Sequence, residues 1–394
     1  MYDVVISGAG PSGSKCAEVI AKAGFKTALL EKDVNWRKPC GGAVHHKAFY
    51  LIPTLKKLNI PKIKGIIMYS ADYHKLDYRL TGQKYGTVID RLEFDNLIRD
   101  VAIDEGAELF NGNLSLDFIV KNNQKIGIKT KTSIGIKEYY GKILIIADGM
   151  SSKLAPKSGL RSKWKTEELG IAKCAIMEGD NQLDEEYIYT YFRPYKGYGW
   201  IFPLGNKRFN IGVTTFGKDN INYNLITLYN QFLKNPHIKK YISDSKCRII
   251  WSGAFPFPAE GVLEKSLYDD NLMLIGDTGG FVSPISGEGI HTSIISGKAA
   301  AEVAINALEE ENYSKVLLKK YKSHLEIKKM IRNFKLKRSM IKFFYEKKGA
   351  NLNKLLALAE KDPEFRSHVV DMFLSKSLPS QDFISKIKTV SNQI

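Results

Sequence analysis

The sequence predicts an α/β fold with a dinucleotide-binding region, an antiparallel-sheet region and a helical C-terminal extension. Three observations support this prediction. A buried apolar strand, a glycine-rich turn, a helix and a second strand follow one another over residues 2–31. Strand-like segments dominate residues 171–255, and helical spacing dominates from residue 313 onward. With 394 residues, 44% of them hydrophobic, the chain is long enough for two packed domains and an extension.

The first unit is a βαβ motif. Tyr2 to Ser7 has the continuous apolar character of a strand buried on both faces of a parallel sheet. A helix is expected from Pro11 to Ala23 and a second strand from Lys26 to Leu30, which Glu31 closes. This is the opening of a doubly wound fold.

The turn inside this unit reads G-x-G-x-x-G over residues 8–13. In that fingerprint Gly8 allows the tight turn, Gly10 lets the backbone approach a pyrophosphate, and Gly13 brings the helix close to the strand. Glu31 stands where a carboxylate accepts hydrogen bonds from the ribose hydroxyls. The motif predicts an ADP site but does not separate FAD from NAD.

The middle of the chain continues with an irregular loop at 37–43, which is rich in glycine and proline. Apolar residues at helical spacing predict a helix over Arg91 to Glu105, and residues 115–140 alternate as in an antiparallel meander. A separate buried strand is expected at Ile143 to Ala147, before Asp148-Gly149.

The second half is predicted to be an antiparallel sheet followed by a return to the first domain. Leu272 to Ile275 reads as a buried strand, and a glycine-rich corner at 287–289 opens a helix through Leu308. The predicted sheet strands are Ile171–Met177, Tyr187–Phe192, Gly199–Leu204, Phe209–Thr215 and Arg248–Trp251, with one helix around 222–234. We therefore predict three regions. They are a discontinuous cofactor-binding domain (1–170 and 256–310), a substrate domain (171–255) and a helical C-terminal region (311–394).

FAD is favoured over NAD because two later segments are placed to hold a flavin. Asp277 follows a buried strand, so its carboxylate can accept hydrogen bonds from a ribityl chain. Residues 284–290 begin a helix whose N-terminal dipole stabilises the negative charge of a reduced flavin. Glu288, within this segment, adds a negative charge close to that position.

The order of these motifs resembles the aromatic-hydroxylase-type flavoproteins, which have a glutathione-reductase-like FAD-binding domain. The resemblance rests on the glycine motif with Glu31, Arg91 at the start of a helix, Ala147-Asp148-Gly149 and Gly276-Asp277. It covers about 300 residues.

Two further motifs narrow this resemblance to the geranylgeranyl reductase family, which includes the archaeal digeranylgeranylglycerophospholipid reductases. Lys38-Pro39-Cys40-Gly41-Gly42 is similar to the K-P-C-G loop of that family, and residues 198–203 match its Y-x-W-x-F-P strand. The family saturates prenyl chains of archaeal membrane lipids and chlorophyll precursors. The resemblance implies an FAD-dependent reductase that acts on CH–CH groups of such chains.

The resemblance also implies site residues. Those expected to contact FAD, beyond Gly8 and Gly10, are Gly13, Glu31, Cys40, Gly41, Ala43, Arg91, Asp277, Gly289 and Ile290, with Ser115 near the adenine. Tyr198, Trp200 and Phe202 alternate along one strand and are expected to wall an apolar substrate slot, although plain core packing would give the same pattern. Cys40 and Tyr198 are the candidate proton donors, and Cys40 is alternatively expected to pack against the flavin through its backbone.

Two other functions remain open at this point. A flavin monooxygenase or halogenase could use the same FAD domain. A flavin-containing RNA-modifying or RNA-binding protein would explain the net charge of +17, but the sequence contains no recognisable RNA-binding module and we expect no nucleic-acid partner. The expected partners are a prenylated lipid and an electron donor, either NAD(P)H or a ferredoxin-like protein.

Charge and cysteine content bear on location. Residues 315–348 contain thirteen Lys or Arg and two acids around an apolar stripe, which suits either an anionic membrane surface or docking on the protein itself. The stripe comprises Leu318, Tyr321, Leu325, Ile331, Phe334, Ile341 and Phe344. The four cysteines have no C-x-x-C spacing, so we expect neither a metal site nor disulfides. A cytoplasmic protein, peripheral on the inner face of the membrane, is expected.

Overall fold

Two large sheets and a group of C-terminal helices make up the protein. The computed structural model describes residues 1–80, 86–262 and 267–373, together with Ser385. In these residues the strands form an eight-stranded sheet, a seven-stranded sheet and a two-stranded ribbon. The α/β fold class predicted from the sequence is confirmed.

The strands are numbered in chain order. They are β1 (Tyr2–Ser7), β2 (Thr27–Leu30), β3 (Ala43–Val44), β4 (Gly65–Tyr69), β5 (Lys75–Arg79), β6 (Thr87–Val88), β7 (Glu108–Phe110), β8 (Leu114–Lys121), β9 (Gln124–Thr132), β10 (Gly135–Ile146), β11 (Leu169–Asn181), β12 (Tyr187–Phe192), β13 (Gly197–Gly205), β14 (Arg208–Phe216), β15 (Ile242–Pro258), β16 (Tyr268–Asp269) and β17 (Leu272–Leu274).

The helices are numbered in the same way, and short 3₁₀ turns lie at Pro53–Lys57, Thr166–Glu168 and Glu346–Gly349. The α-helices are α1 (Pro11–Lys22), α2 (Ala48–Leu51), α3 (Arg91–Asp104), α4 (Leu154–Lys157), α5 (Asp219–Asn222), α6 (Leu225–Leu233), α7 (Pro236–Lys239), α8 (Gly276–Gly279), α9 (Ile290–Glu309), α10 (Lys315–Ser323), α11 (Leu325–Phe344), α12 (Ala350–Lys361) and α13 (Pro363–Phe373).

The first sheet contains the parallel strands of the dinucleotide-binding region. Its order is β16-β17-β10-β1-β2-β7, and β17, β10, β1, β2 and β7 run parallel. Val4, Val5 and Ile6 of β1 are fully buried, as predicted for a strand covered on both faces. The helices α1 and α9 pack closely, because a Cβ on Gly297 of α9 would lie 2.2 Å from the Ser12 carbonyl oxygen of α1.

The strand β10 joins two features that the sequence predicted separately. It pairs antiparallel with β9 as far as Tyr140 and then parallel with β1 from Gly141. A Cβ on Gly141 would lie 2.8 Å from Cγ2 of Val5, so this position requires a glycine as the strand changes partner. The meander predicted for residues 115–140 is confirmed, but its last strand and the buried strand at Ile143 are one continuous strand.

The second sheet has the order β15-β11-β14-β13-β12-β4-β5. Its strands are antiparallel except for β12 and β4, which pair parallel from Tyr187↔Gly65 to Tyr191↔Tyr69. Residues 65–79 therefore pair with the predicted substrate sheet, although they lie inside the segment 1–170 that the sequence analysis assigned to the cofactor domain. For β4 and β5 the predicted domain boundary does not match the sheet pairing, because nothing local in the sequence indicates their distant partner. The other predicted domain boundaries stay predictions.

The C-terminal helices cover both sheets. Of the apolar stripe predicted in this segment, Leu318, Tyr321, Phe334, Ile341 and Phe344 are buried against the protein, whereas Leu325 is 63% exposed. Helices α12 and α13 pack on the core that contains Trp200 and Phe202. The helix predicted beyond Phe373 lies outside the described residues. Within the described ranges, every helix is too short or too polar to cross a membrane.

Candidate active site

A cavity of about 510 Å³ connects the two sheets. Ser7 and Ala147, which end or follow parallel strands of the first sheet, line one end. Met68 and Phe202 of the second sheet and Phe373 of α13 line the other end. The volume lies in the range of ordinary ligand sites. The cavity is therefore polar and glycine-rich at one end and apolar at the other.

The glycine turn shapes the polar end. Gly8 has φ +99°, and a Cβ on it would lie 2.5 Å from the carbonyl oxygen of Ala147. A Cβ on Gly13 would lie 1.9 Å from the Gly8 carbonyl oxygen, so Gly13 sets the distance between helix α1 and the turn. Gly10 lines the cavity, and its Cβ would meet no described protein atom within 4 Å. The roles predicted for Gly8 in the turn and for Gly13 in helix packing agree with these contacts, and the space at Gly10 leaves room for the predicted approach of the backbone to a pyrophosphate.

The carboxylate of Glu31 is held beside this turn by backbone donors. Its Oε2 accepts a hydrogen bond from the Ala9 N–H at 2.8 Å, and its Oε1 accepts from the N–H groups of Lys32 and Asp33. Ser115 lies nearby, where its Oγ accepts a hydrogen bond from Ser7 Oγ at 2.7 Å. Glu31 follows the parallel strand β2, at the edge where such sheets bind nucleotides, whereas Ser115 lies at the start of the antiparallel strand β8. Both residues line the cavity.

Asp148 belongs to the Ala147-Asp148-Gly149 motif, but the sequence did not predict it as a site residue. It lines the cavity, and its Oδ1 has no hydrogen-bond partner among the described residues. Burial raises the pKa of its carboxyl group to about 7. A deep carboxyl oxygen without a partner is costly unless a bound group satisfies it. This oxygen and the open space at Gly10 both fit a polar cofactor such as the ADP part of FAD.

The Lys38–Gly42 loop lies on the second sheet. Asn210 of β14 donates from Nδ2 to the Cys40 carbonyl oxygen at 2.9 Å and accepts at Oδ1 from Trp200 Nε1 at 2.8 Å. A Cβ on Gly41 would lie 2.9 Å from the Phe202 ring, so the loop needs glycine to approach that strand. Asn210 was predicted only as part of the strand, without a role, although it fixes the loop against Trp200.

The sulfur of Cys40 lies between two donors. The Gly42 N–H approaches it at 3.4 Å, and the Arg91 guanidinium is close enough to interact with it electrostatically. Arg91 is buried at the start of α3 and forms a two-point ion pair with Asp95, with distances of 3.0 and 2.8 Å. Arg91 therefore lies beside the loop and also lines the cavity. Its orientation is fixed by the Asp95 carboxylate, one turn along the helix.

Asp277 pairs with a residue that the sequence analysis did not select. Lys38 Nζ lies 2.5 Å from Asp277 Oδ2, and the Asp277 side chain is only 9% exposed. The pair connects the Lys38–Gly42 loop to the Gly276-Asp277 motif across 239 residues of sequence. Lys38 is the first residue of the K-P-C-G motif, so the sequence did mark its position. A lysine in a loop, however, does not by itself indicate which carboxylate it pairs with.

Tyr198, Trp200 and Phe202 form an aromatic row along one face of β13. The ring centroids of Tyr198 and Trp200 are 5.9 Å apart, and those of Trp200 and Phe202 are 6.0 Å apart. The Tyr198 hydroxyl donates to the Ser286 carbonyl oxygen, and burial raises the pKa of Tyr198 above its ordinary value. The row lines the cavity together with Ile66, Met68, Ile188, Phe192 and Phe373.

The glycine corner (residues 286–289) joins this apolar end to the start of α9. Glu288 lines the cavity, and its Oε1 accepts a hydrogen bond from the His291 N–H at 2.7 Å. Burial raises the pKa of the Glu288 carboxyl group to about 7. The side chain of Glu288 was noted from the sequence only as a negative charge near the flavin.

Comparison with known proteins agrees with this geometry. Residues 3–172 match the family model of glucose inhibited division protein A, and residues 171–251 match the geranylgeranyl reductase catalytic domain. Digeranylgeranylglycerophospholipid reductase 1 of Methanosphaera stadtmanae is 33% identical over 81% of this chain and 79% of its own length. The chain belongs to the geranylgeranyl reductase family. The enzyme of the same name from Methanopyrus kandleri is 28% identical over 82% of this chain and 86% of its own length.

Solved structures share the fold over the whole chain. A geranylgeranyl bacteriochlorophyll reductase-like protein from Thermoplasma acidophilum has a TM-score of 0.81 and 24% identity, covering 99% of both chains. A halogenase solved with phloroglucinol and FAD has a TM-score of 0.73 and 15% identity, covering 98% of this chain and 90% of its own. At these identities the comparison concerns the fold alone. The glycine turn, Glu31 and Asp148 at the polar end of the cavity, here called the ADP cradle, fit the ADP part of FAD. Together with the family membership and the fold, this fit identifies FAD as the cofactor.

The structure brings nearly all the predicted site residues of this geranylgeranyl reductase to one cavity. Gly13 is the exception. It packs against the Gly8 carbonyl group on the protein side of the turn and does not line the cavity. The predicted residues that line it are Gly8, Gly10, Glu31, Cys40, Gly41, Ala43, Arg91, Ser115, Tyr198, Trp200, Phe202, Asp277, Gly289 and Ile290. Their individual contacts with FAD and substrate stay predictions.

Proposed function

We propose that this protein is an FAD-dependent reductase that saturates C=C bonds in the geranylgeranyl chains of membrane lipids or their precursors. The observation that carries the proposal is the single cavity that runs from the ADP cradle to the aromatic row. A cofactor held at the polar end and a hydrocarbon held at the apolar end would meet beside Cys40 and the glycine corner. Family membership supports the same activity.

The chemistry explains why the slot must be dry and narrow. An isolated alkene is a poor hydride acceptor, so its reduction needs exact placement of the reacting carbon together with a proton source. Reduced FAD supplies the hydride when bound. Trp200 and Phe202, which are 3% and 7% exposed, exclude water and offer a flat wall to a prenyl chain.

The far end of the slot is lined by a residue of the C-terminal helices. Phe373 of α13 lies 5.1 Å, centroid to centroid, from Phe192 of β12, and both line the cavity. A chain of several isoprene units would extend from the aromatic row towards these rings. The names of the relatives specify a digeranylgeranylglycerophospholipid, and the net charge of +17 complements an anionic headgroup. We propose that lipid class as the substrate.

The reductant and the location belong to the same proposal. We expect electrons from NAD(P)H or a ferredoxin-like protein, and peripheral contact with an anionic membrane surface that brings the lipid within reach. Cys40 and Tyr198 remain candidate donors, but the Tyr198 hydroxyl already donates to Ser286. The Cys40 main chain is fixed by Asn210, which supports a packing role for this residue beside the flavin.

Anaerobic turnover tests the function. Purified enzyme, reduced chemically, is mixed with digeranylgeranylglyceryl phospholipid in mixed micelles, and the lipid is analysed by mass spectrometry. We expect product that gains two hydrogens for each bond reduced, with no need for oxygen. Unchanged lipid under these conditions, together with oxygen-dependent hydroxylation or halogenation of an aromatic compound, would replace this proposal with the monooxygenase or halogenase alternative.

A further inference from the structure

Glu288 occupies the junction between the two ends of the cavity. The carbonyl oxygen of Ser286, two residues earlier, accepts a hydrogen bond from the Tyr198 hydroxyl, so the corner contacts the aromatic row. A Cβ on the following Gly289 would lie 3.5 Å from Asp277 Oδ1, so the corner also touches the carboxylate expected to bind the ribityl chain. A side chain at this junction is close to both the cofactor region and the slot.

The Glu288 side chain also caps helix α9. Its Oε1 accepts a hydrogen bond from the backbone N–H of His291 at 2.7 Å, in the first turn of that helix. The N–H groups of this turn form the positive helix end expected to face a reduced flavin. A carboxylate and an anionic flavin placed at one helix terminus repel each other, so the charge of either group affects the protonation of the other.

The reaction requires two different hydrogens. Breaking the C=C π bond forms two C–H bonds, one from a hydride and one from a proton. The hydride comes from two-electron-reduced FAD. A proton donor that is recharged in each cycle is also needed, and in a dry slot it must be a group that lines the cavity.

We propose that Glu288 is the proton carrier of this reaction: it takes up a proton when bound FAD is reduced and delivers that proton to the substrate alkene. The inference rests on the proposed function. The balance is complete, since reduced FAD, the alkene and the Glu288 carboxylic acid give oxidised FAD, the saturated chain and the Glu288 carboxylate. The next reduction of FAD restores the acid, with a proton from solvent.

The electrostatic surroundings favour this cycle. Burial raises the pKa of Glu288 to about 7, the backbone N–H of His291 and the Lys337 ammonium oppose that rise, and Asp277 supports it. Lys337 of α11 is itself 5% exposed, and burial lowers its pKa to about 8. A new negative charge on the flavin raises the pKa of Glu288 further, so the oxidised enzyme near neutral pH holds a mixture of acid and carboxylate and the reduced enzyme holds the acid.

Other titratable groups around the corner have different roles. Asp277 is paired with Lys38, and the Tyr198 hydroxyl has a raised pKa and a carbonyl partner. Burial lowers the pKa of His291 to about 4, so its ring is neutral at neutral pH. Cys40 lines the same cavity beside Arg91. Among the groups at this corner, Glu288 has a pKa near neutral pH and a charge that opposes that of reduced FAD. Asp148, whose pKa is also raised to about 7, lines the cavity beside the glycine turn and is present in both enzymes that are compared below.

Proton uptake on reduction tests the proposal without any lipid. FAD-loaded enzyme in weak buffer is reduced anaerobically with reduced methyl viologen, which releases no protons, and a pH indicator reports the uptake. Above about pH 7 we expect the wild type to take up one more proton per FAD than Glu288→Gln. Below about pH 6, a unit under that pKa, the two should agree because Glu288 is already protonated. Glu302→Gln, an exposed change on the same helix, is the matched control and should behave as wild type.

Lys337→Met provides an independent check. The Lys337 charge lowers the pKa of Glu288, so its removal should move the window of extra uptake to higher pH. An unchanged window, or equal uptake by wild type and Glu288→Gln at every pH, would overturn the assignment of this proton to Glu288.

Single-turnover kinetics separate this inference from the proposed function. With reduced enzyme and prenyl lipid, Glu288→Gln should slow flavin reoxidation by about 10²–10⁴-fold, the usual effect of losing a general acid, while FAD content stays normal. Reoxidation as fast as wild type would overturn the inference alone. A wild type that takes up the extra proton but leaves the lipid unreduced would refute both the delivery step and the proposed substrate.

Discussion

At the scale of single residues, two glycines of the same turn are required for different reasons. Gly13 faces the protein, because its Cβ would collide with the Gly8 carbonyl oxygen at 1.9 Å. Gly10 faces the cavity, and its backbone angles of φ −77° and ψ −174° are open to any residue. We therefore expect the need for glycine at this position to come from the bound cofactor and not from the polypeptide.

This difference gives a matched pair of variants. Gly10→Ala should leave the apoprotein as stable as wild type but weaken FAD binding at least tenfold, which is about 1.4 kcal/mol. Gly13→Val should lose both FAD and stability, because its side chain has no space beside Gly8. Urea unfolding of the apoproteins and titration with FAD measure the two effects. Wild-type FAD affinity in Gly10→Ala would show that the pyrophosphate lies elsewhere.

Cys40 is the second residue whose role a variant resolves. Its carbonyl oxygen is held by Asn210, and its sulfur faces Gly42 and Arg91. If Glu288 carries the proton, Cys40→Ser should slow single-turnover prenyl reduction by less than about tenfold, well below the loss expected for a general acid. A slowing of 10²–10⁴-fold, with normal proton uptake on reduction, would return the donor role to Cys40.

At the scale of elements, local patterns predicted the helices and strands more reliably than their pairing. The spacing of apolar residues located α3 at Arg91–Asp104, and alternation located β12 at Tyr187–Phe192. The addition of β4 to β12, and the continuity of β10 across two partners, were missed. A strand edge carries no local mark of a partner more than a hundred residues away, and the same applies to the Lys38–Asp277 pair.

The helix α11 shows how packing changes the interpretation of a sequence pattern. The apolar stripe of residues 315–348 predicted either contact with an anionic membrane surface or docking on the protein itself. Phe334, Ile341 and Phe344, which belong to α11, are buried against the protein. The remaining surface of the segment is dominated by lysine and arginine. Val316 and Leu325 are the apolar exceptions, 84% and 63% exposed, so we expect any membrane contact through this segment to be mainly electrostatic.

Liposome sedimentation tests that conclusion. Binding to vesicles with anionic lipid should exceed binding to neutral vesicles, by about 1 kcal/mol for each basic residue near the surface, and should fall as salt rises. Charge reversal at three exposed positions, Lys319, Lys328 and Lys329, should remove most of the difference without loss of FAD. Equal binding to both vesicle types would show that these lysines only face solvent and do not bind the membrane surface.

At the scale of the whole molecule, the cavity is assembled from parts that are distant in sequence. The first sheet supplies the glycine turn and Glu31, the second sheet supplies the aromatic row, and α13 supplies Phe373. The sequence identified the first two contributions because each has a compact motif. It did not identify the third, since Phe373 belongs to no motif and reaches the cavity only through the packing of α12 and α13 on the second sheet.

FAD should therefore stabilise the whole molecule, because residues of both sheets line the cavity in which we expect it to bind. A ligand that binds only the folded state adds about 2.7 kcal/mol of stability when its free concentration is about 100 times Kd. We expect the melting temperature of the apoprotein to rise by several degrees with saturating FAD, in one transition, and by less with ADP, which fills only the polar end. Differential scanning calorimetry measures both shifts, and Gly10→Ala serves as the control whose shift requires more FAD. Equal shifts with ADP and FAD would show that the flavin part makes no net stabilising contact, which would contradict the placement of its ring between the Lys38–Gly42 loop and the glycine corner.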